Sequence, residues 1–293
     1  MSRYEKIDLH IHSKVSDGTD SPEEILSHVK NSGISFFSLT DHDATKGCGV
    51  IRSIIDKSGT DSYPLFITGV EFSCKDEEGK YHILGYGYDP EGESIREVIE
   101  KGHSYRMNKV RARLDFIEKE YGFSFPPEEI DNLLAKDNPG KPHIAKLMIK
   151  YGYAETIEQA IKDYIDNIHF KNDYVRPEEA ICGIRGSGGI AVLAHPFFGN
   201  GGQLIIGEEM EERLTRLIGF GLQGAEAFYS GFSPKQIGEM LSLAERYDLY
   251  VTAGSDYHGT NKLVPLGDTG MDLYDSVPDG LKRFIDTFIM KQA

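Results

Sequence analysis

Nine side chains carry the clearest chemistry in this chain: His10, His12, Asp17, His42, Glu71, His82, His195, Asp256 and His258. Six imidazoles and three carboxylates form a donor set for divalent cations, suited to Mn, Fe or Zn, with Mg an option through the oxygens. Gathered in one pocket without cations they would be costly to bury. With divalent ions bound the rings become ligands and the carboxylates balance charge. His10-Ile11-His12 alternates with the period of a strand, so both rings fall on one face and can address one ion. Ten histidines in 293 residues would give such a pair by chance at a rate of roughly 0.3, and a lone buried histidine is more often hydrogen-bonded core than ligand. The weight lies in the combination.

Strands must bring these groups together. Residues 7–12, 36–40, 65–73, 81–88, 190–194, 224–228 and 249–253 read as strands, most of them near-continuous apolar runs. Helices are expected at Pro22–Asn31, 49–57, 208–220, 233–247 and from about residue 278. Asp76-Glu77-Glu78-Gly79 reads as a hairpin turn between the third and fourth strands. The fold class is α/β, a seven-stranded (β/α) barrel whose first and last strands can close together. Most of the nine residues lie at or just beyond a strand's C-terminal end, the face on which such barrels build active sites. Between residues 95 and 185 strand signals vanish and helical periodicity takes over. Met107, Val110, Leu114 and Ile117 mark one face of a long helix, with shorter helices at Pro127–Leu134, 142–151 and 156–166. The expected organisation is a metal-binding barrel from residues 1–94 and 186–293, with a small helical domain, 95–185, inserted over the site.

The net charge of −15 speaks against binding duplex nucleic acid or an anionic membrane surface. No apolar run approaches the roughly 18 residues of a membrane span, and no signal-peptide core opens the chain. Cys48, Cys74 and Cys182 are too scattered for a disulfide framework or a thiolate zinc site. A soluble, cytoplasmic protein is expected. Its oligomeric state is not legible.

Five ordered motifs bear a resemblance: Asp-Leu-His10-Ile-His12-Ser, Thr40-Asp41-His42-Asp43, Gly69-Val70-Glu71, Ala194-His195-Pro196 and Ser255-Asp256-Tyr257-His258. Together they resemble the PHP (polymerase and histidinol phosphatase) superfamily of metal-dependent phosphoesterases, whose fold is a distorted (β/α)7 barrel. The insertion, with Gly140-Lys141-Pro142-His143-Ile144-Ala145, is similar to a subgroup acting on 3′,5′-nucleoside bisphosphates, AMP-like monophosphates or oligoribonucleotide 5′ ends. The resemblance implies a first ion at His10, His12, Glu71 and Asp256, a second reached through Glu71 and completed by His82 and His195, and a third at Asp17, His42 and His258. It implies hydrolysis of a phosphomonoester by attack of a metal-bridging hydroxide, with Glu71, His195, Asp256 and His258 at the reacting centre. A carboxylate shared by two cations fits this chemistry, since it holds them about 3.5–4 Å apart.

For the substrate, Arg106, Lys141, His143 and Lys171 are the candidates. Arg106 belongs with Lys109, Arg111 and Arg113 to a cationic stretch that can equally be a solvated helix face. Where the subgroup usually has arginine, Lys141 keeps the charge but loses the bidentate fork. His28, His103 and His169 read as solvent-facing. Asp41 and Asp43 read as orienting His42 or capping the next helix, Glu226 as supporting or structural, and Phe197, Phe198 and Tyr229 as core or base-stacking rings. Residues 199–202 read as a flexible lid or linker. Rival readings are a histidinol-phosphate-type phosphatase, an amidohydrolase-type barrel and a non-catalytic domain binding phosphoryl ligands.

Overall fold

A computed structural model describes residues 6–59, 63–170, 174–199, 203–274 and 276–290. Seven strands form one sheet in chain order: β1 (Ile7–Asp8), β2 (Phe36–Leu39), β3 (Leu65–Lys75), β4 (Lys80–Tyr86), β5 (Ile190–Leu193), β6 (Gly224–Tyr229) and β7 (Tyr250–Gly254). The ends of this sheet meet through main-chain bonds from Leu9 N–H to Ala253 O (2.8 Å), Asp256 N–H to His10 O (2.9 Å) and His12 N–H to Tyr257 O (2.9 Å). The result is a nearly closed barrel with helices packed outside, the expected architecture. A Cβ at Gly254 would collide with His10 Cβ and Glu226 Oε1, so glycine is what lets β7 approach at this seam.

Ten helices occur among the described residues: α1 (Pro22–Asn31), α2 (Lys46–Ser58), α3 (Glu93–Tyr121), α4 (Pro127–Leu134), α5 (Lys141–Lys150), α6 (Ile157–Gln159), α7 (Pro177–Gly186), α8 (Gly207–Gly219), α9 (Pro234–Arg246) and α10 (Asp279–Met290). Helix α1 begins where its residues demand. Ser21 Oγ accepts the Glu24 N–H at 3.2 Å and Glu24 returns a carboxylate to the Ser21 N–H at 2.7 Å, with Pro22 in the first turn. None of the described helices is long and apolar enough to cross a membrane.

The expected hairpin between the third and fourth strands is present, and two other expectations need correction. The barrel is mixed: β4 runs antiparallel to both β3 and β5, while the other neighbouring pairs are parallel. The tight 76–79 turn forces this, because adjacent strands joined so closely must reverse. The first strand is two residues long rather than six, because Thr40 Oγ1 takes the Ile11 N–H at 3.1 Å and the Asp8 carboxylate takes the His10 N–H at 3.3 Å. Residues 156–166 do not form one regular helix: α6 passes into a π turn at Ala160–Tyr164 and a 3₁₀ turn at Ile165–Asn167. The wider winding suits the burial of both Ala160 and Ile165, five residues apart.

Helix α7, whose boundaries the sequence pattern leaves unmarked, buries Ala180, Ile181 and Ile184 in the barrel core. Helix α3 joins two cores. Ile95 and Val98 pack into the barrel, whereas Val110, Leu114 and Ile117 pack with Ile144, Met148 and Ile165 in a separate helical cluster.

Candidate metal centre

The strand ends deliver all nine residues to one place. His10 and His12 sit on the seam to β7, their ring centroids 5.2 Å apart. His42 follows β2, and its carbonyl oxygen accepts a hydrogen bond from the Asn138 amide in the turn before α5. His82 comes from the beginning of β4, opposite Ser73. The antiparallel direction brings that beginning to the face where the parallel strands end. Four described non-glycine residues have left-handed backbones, and three are here: Asp43 (φ 48°), His195 (φ 27°) and Asp256 (φ 56°). Each sits just past a strand. Such conformations cost of order 1–3 kcal/mol and persist where the surroundings over-determine them.

Glu71 is the hub. Its Oε1 lies 2.8 Å from His82 Nδ1 and 3.2 Å from His195 Nε2. Its Oε2 lies 3.3 Å from His10 Nε2, 3.1 Å from His12 Nε2 and 3.1 Å from His42 Nδ1. Across from Oε2, Asp256 Oδ1 is 3.6 Å from His10 Nε2 and 3.4 Å from His12 Nε2. Asp17 approaches His258 Nε2 at 3.3 Å and His42 Nε2 at 3.9 Å, while the His258 ring stacks on His12 with centroids 4.1 Å apart.

The residues fit divalent ions. Ligand atoms of His10, His12 and Asp256, of His42, Glu71 and His82, and of His12, Asp17, His42 and His258 form three groups, each within 4.8 Å. His10 Nε2 and His12 Nε2 are buried with no aligned hydrogen bond, although two carboxylates stand beside them. A buried nitrogen that lacks a proton partner but faces carboxylates has the surroundings of a metal ligand.

Charge in the cluster follows the same logic. Burial disfavours the imidazolium of His10, but Glu226, Glu71 and Asp256 outweigh it and hold His10 well above its ordinary value. Burial likewise opposes His12, yet Asp256 and Glu71 push it to about 9. Burial would raise Asp17, Glu71 and Asp256. The surrounding histidines, joined by Lys262 at Asp256, keep all three well below the usual carboxylate range. Burial, His12 and Arg106 hold His42 well below its ordinary value despite Glu71 and Asp17. Protons on His10 and His12 thus balance the carboxylates, and divalent ions binding there would replace them.

Supporting residues lock the candidate ligands. Glu226, fully buried, accepts from His10 Nδ1 at 3.0 Å and from the His195 N–H at 2.8 Å. A β-bulge between Glu226 and Phe228 interrupts the register beside it. Asp41 accepts from the Ser13 N–H (2.8 Å), Ser13 Oγ (2.7 Å) and Ser16 Oγ (2.7 Å), pinning the loop that carries Asp17. Asp8 takes the Ser255 N–H at 3.0 Å and Ser255 Oγ at 2.6 Å, and burial pushes its carboxyl up to about 6. Neither Asp41 nor Asp43 caps α2, which starts at Thr45 without a side-chain cap. Asp43 instead accepts from Arg106 Nη2 at 2.9 Å and from the Ser73 N–H at 3.2 Å.

The substrate candidates divide. Arg106 lies beside the centre, held by Asp43 and by Ser73 Oγ (3.1 Å), itself 3.5 Å from His42 Nδ1. His143 accepts the Gly140 N–H at 3.1 Å, and burial, with Lys136 and Lys146 nearby, holds it down at about 4. Lys141 is paired with Asp166, while Lys171 lies outside the described residues. The cationic stretch is not a solvated face throughout: Lys109 and Arg113 are buried, stacked over Tyr174 (3.6 Å to the centroid) and Phe170 (5.0 Å). His28 and His169 are exposed and His103 half-buried. Of the aromatics, Phe197 is core, Phe198 is 38% exposed, and Tyr229 donates to Asp256 Oδ2 at 2.8 Å. Residues 200–202 of the glycine-rich loop lie outside the described residues. Lys262, paired with Asp256, was hidden in a segment with no periodic signal.

A barrel with an imidazole and carboxylate centre at its strand ends defines a metal-dependent hydrolase. The chain belongs to the PHP domain family, whose model matches residues 8–219. It is 28% identical over 286 residues to a 5′-3′ exoribonuclease of Haemophilus influenzae, spanning 95% of this chain and 99% of that one. It is 30% identical over 269 residues to a phosphoribosyl 1,2-cyclic phosphate 1,2-diphosphodiesterase of Eggerthella lenta, spanning 88% and 96%. A 3′,5′-nucleoside bisphosphate phosphatase of Chromobacterium violaceum is 28% identical over 261 residues, spanning 86% and 87%. A solved structure from Bifidobacterium adolescentis, described as of a metal-dependent phosphoesterase, superposes with a TM-score of 0.79 at 26% identity over 96% of each chain.

Proposed function

We propose that the chain hydrolyses a phosphomonoester of a small nucleotide-type substrate, using two or three divalent ions held by the nine residues at the strand ends. The observation that carries this reading is the two-sided environment of Glu71, with His82 and His195 at one oxygen and His10, His12 and His42 at the other. Bound there, divalent ions supply Lewis acidity toward phosphoryl oxygens and an activated water. The imidazole and carboxylate donors suit Mn, Fe or Zn.

The chain's own groups do the rest. Glu71 and Asp256 supply fixed negative charge between the imidazoles, so that the ions are neither expelled nor over-neutralised. Glu226 and the left-handed turn at residue 195 set the rings of His10 and His195. His195 and His258 keep 16% and 12% of their side chains exposed and therefore border the space a phosphoryl group would enter. Arg106, tethered by Asp43, offers a cation beside His42 for the developing charge on phosphoryl oxygens. Helix α3 and the turn before α5 reach over the centre through Arg106 and Asn138, which supports a covering role for the helical segment.

Nucleotide substrates named for the exoribonuclease and bisphosphate phosphatase relatives support the substrate class. Free thiols at Cys48, Cys74 and Cys182 support a reducing compartment, the cytoplasm. A panel of phosphomonoesters, nucleoside bisphosphates, 5′-phosphorylated dinucleotides and histidinol phosphate, each with Mn, Zn or Mg, tests the reading through kcat/KM. Preference for a nucleotide is expected. A dihydroorotate-like amide turned over faster than every phosphoester would overturn it.

A further inference from the structure

Glu71 and Asp256 are built into the centre differently. Both oxygens of Glu71 face imidazoles. Those of Asp256 divide. Oδ1 faces His10 Nε2 (3.6 Å), His12 Nε2 (3.4 Å) and His258 Nδ1 (3.4 Å). Oδ2 is closed off: Tyr229 Oη donates to it at 2.8 Å, and Lys262 Nζ pairs with it while standing 3.4 Å from the same Tyr229 oxygen. A carboxylate oxygen has about two acceptor sites, and here the phenol and the ammonium fill both. A carboxylate with two free oxygens can grip one ion with both or share itself between two. Asp256 can offer only Oδ1.

The arrangement is braced from both sides. Tyr229 is buried at the end of β6, paired with Gly254 of β7, and sets its ring against that of His195 with centroids 5.6 Å apart. Lys262 follows the 3₁₀ turn Gly259–Asn261, which is anchored on the loop carrying Asp17. Asn261 Nδ2 donates to Asp17 O at 2.6 Å, and the Thr260 N–H donates to Thr19 Oγ1 at 2.9 Å. The lysine therefore returns to Asp256 on a tethered turn rather than on a free surface stretch.

We propose that Lys262 and Tyr229 are positioning residues that hold Asp256 to a single ion through Oδ1, so that this ion keeps a coordination position for substrate. The assignment rests on the metal-dependent phosphoesterase reading above. Two effects of losing Lys262 then run in opposite directions. The site becomes more negative, so a divalent ion binds more tightly. Turnover falls, because Asp256 is freer to close both oxygens on the ion and to donate more charge to it.

The test uses Lys262→Met, which keeps an apolar stem, Lys262→Arg, which keeps the charge, Tyr229→Phe, and the double variant Lys262→Met/Tyr229→Phe. Chelator competition should show Mn bound about three- to tenfold more tightly by Lys262→Met, the scale of one nearby charge in partly wetted surroundings. At saturating Mn, kcat on a phosphomonoester should fall about tenfold in Lys262→Met and in Tyr229→Phe, with KM within about twofold. Lys262→Arg should recover most of it. The third readout needs no substrate. Visible absorbance of the Co-loaded protein weakens as coordination number rises, and it should be weaker in the double variant than in wild type. An unchanged Co spectrum overturns the proposal; with tighter Mn binding and unchanged kcat it would mean that the lysine meets Asp256 only when no ion is bound. Metal affinity and kcat that fall together in Lys262→Met overturn it too, as the mark of a merely structural contact. Wild-type protein that turns over no phosphoester would refute the phosphoesterase reading, while the Co spectra would still decide what Lys262 and Tyr229 do to Asp256.

Discussion

Replacing Glu226 with glutamine removes one acceptor and changes almost no volume. The carboxylate serves two donors at once, His10 Nδ1 at 3.0 Å and the His195 N–H at 2.8 Å, with no exposure to water. A glutamine amide can serve only one. If its oxygen faces His10, its NH₂ meets the His195 N–H, donor against donor. If it flips, the His10 ring must accept at Nδ1 and carry its proton on Nε2, the nitrogen that faces Glu71 and Asp256. In that tautomer His10 cannot ligate. Leaving one buried donor unpaired costs about 1–3 kcal/mol. Loss of a carboxylate behind a ligating histidine weakens metal binding by roughly 10–100-fold, about 1.4–2.7 kcal/mol, which agrees with the hydrogen-bond figure. Chelator competition with Mn or Zn should therefore show a Kd raised by about 10–100-fold in Glu226→Gln. The kcat/KM for a phosphomonoester should fall in parallel at limiting metal and recover most of its value at excess. A metal affinity within about twofold of wild type would refute the reasoning, because the buried carboxylate would then hold neither ring.

Four further outcomes follow from the geometry. Asp41→Ala strands three donors in the loop before Asp17 and should lower the melting temperature by roughly 5 °C or more, read by calorimetry; an unchanged melt would dissociate that loop from stability. His12 is raised to about 9 when folded, so its contribution is fully present below its unfolded value near 6.5 and is lost as pH climbs through about 9. Chelator-treated protein should thus melt lower at pH 9.5 than at pH 7, and metal-loaded protein should lose less. Calorimetric titration with Mn near pH 7.5, in buffers of different ionisation heat, should register net proton release, and none would contradict the protonated state of His10 and His12. Arg106→Lys keeps the charge but surrenders the two-nitrogen grip on Asp43, and kcat/KM should fall about tenfold with metal content unchanged.

The convergence of the candidate metal-site residues was legible because strand periodicity is local. His10-Ile11-His12, Glu71 within an apolar run and Asp256 after another can each be placed on a strand or at its end without knowing the fold. Once the strands close, their meeting follows. What escaped depends on distant partners. Glu226 is visible as a carboxylate in β6, but its hold on His10 and His195 needs the local register of the bulge and the contact across the barrel seam. Asp41 looks like a helix cap until the 13–16 loop is seen to fold back onto it. Lys109 and Arg113 read as a wet face because Phe170 and Tyr174, which cover them, arrive more than fifty residues later. His82 lay within reach of the same local reading, since a hairpin turn at residues 76–79 ahead of a strand at 81–88 puts it at a strand's start.

Metal stoichiometry joined to turnover tests the central claim most directly. Protein stripped with chelator, then titrated with Mn and assayed on a nucleoside bisphosphate, should be inactive when empty and take up more than one ion per chain. Activity should rise with that uptake, and Glu71→Gln should retain fewer ions and little turnover. Full turnover by the stripped protein, or normal ion content and activity in Glu71→Gln, would contradict the account.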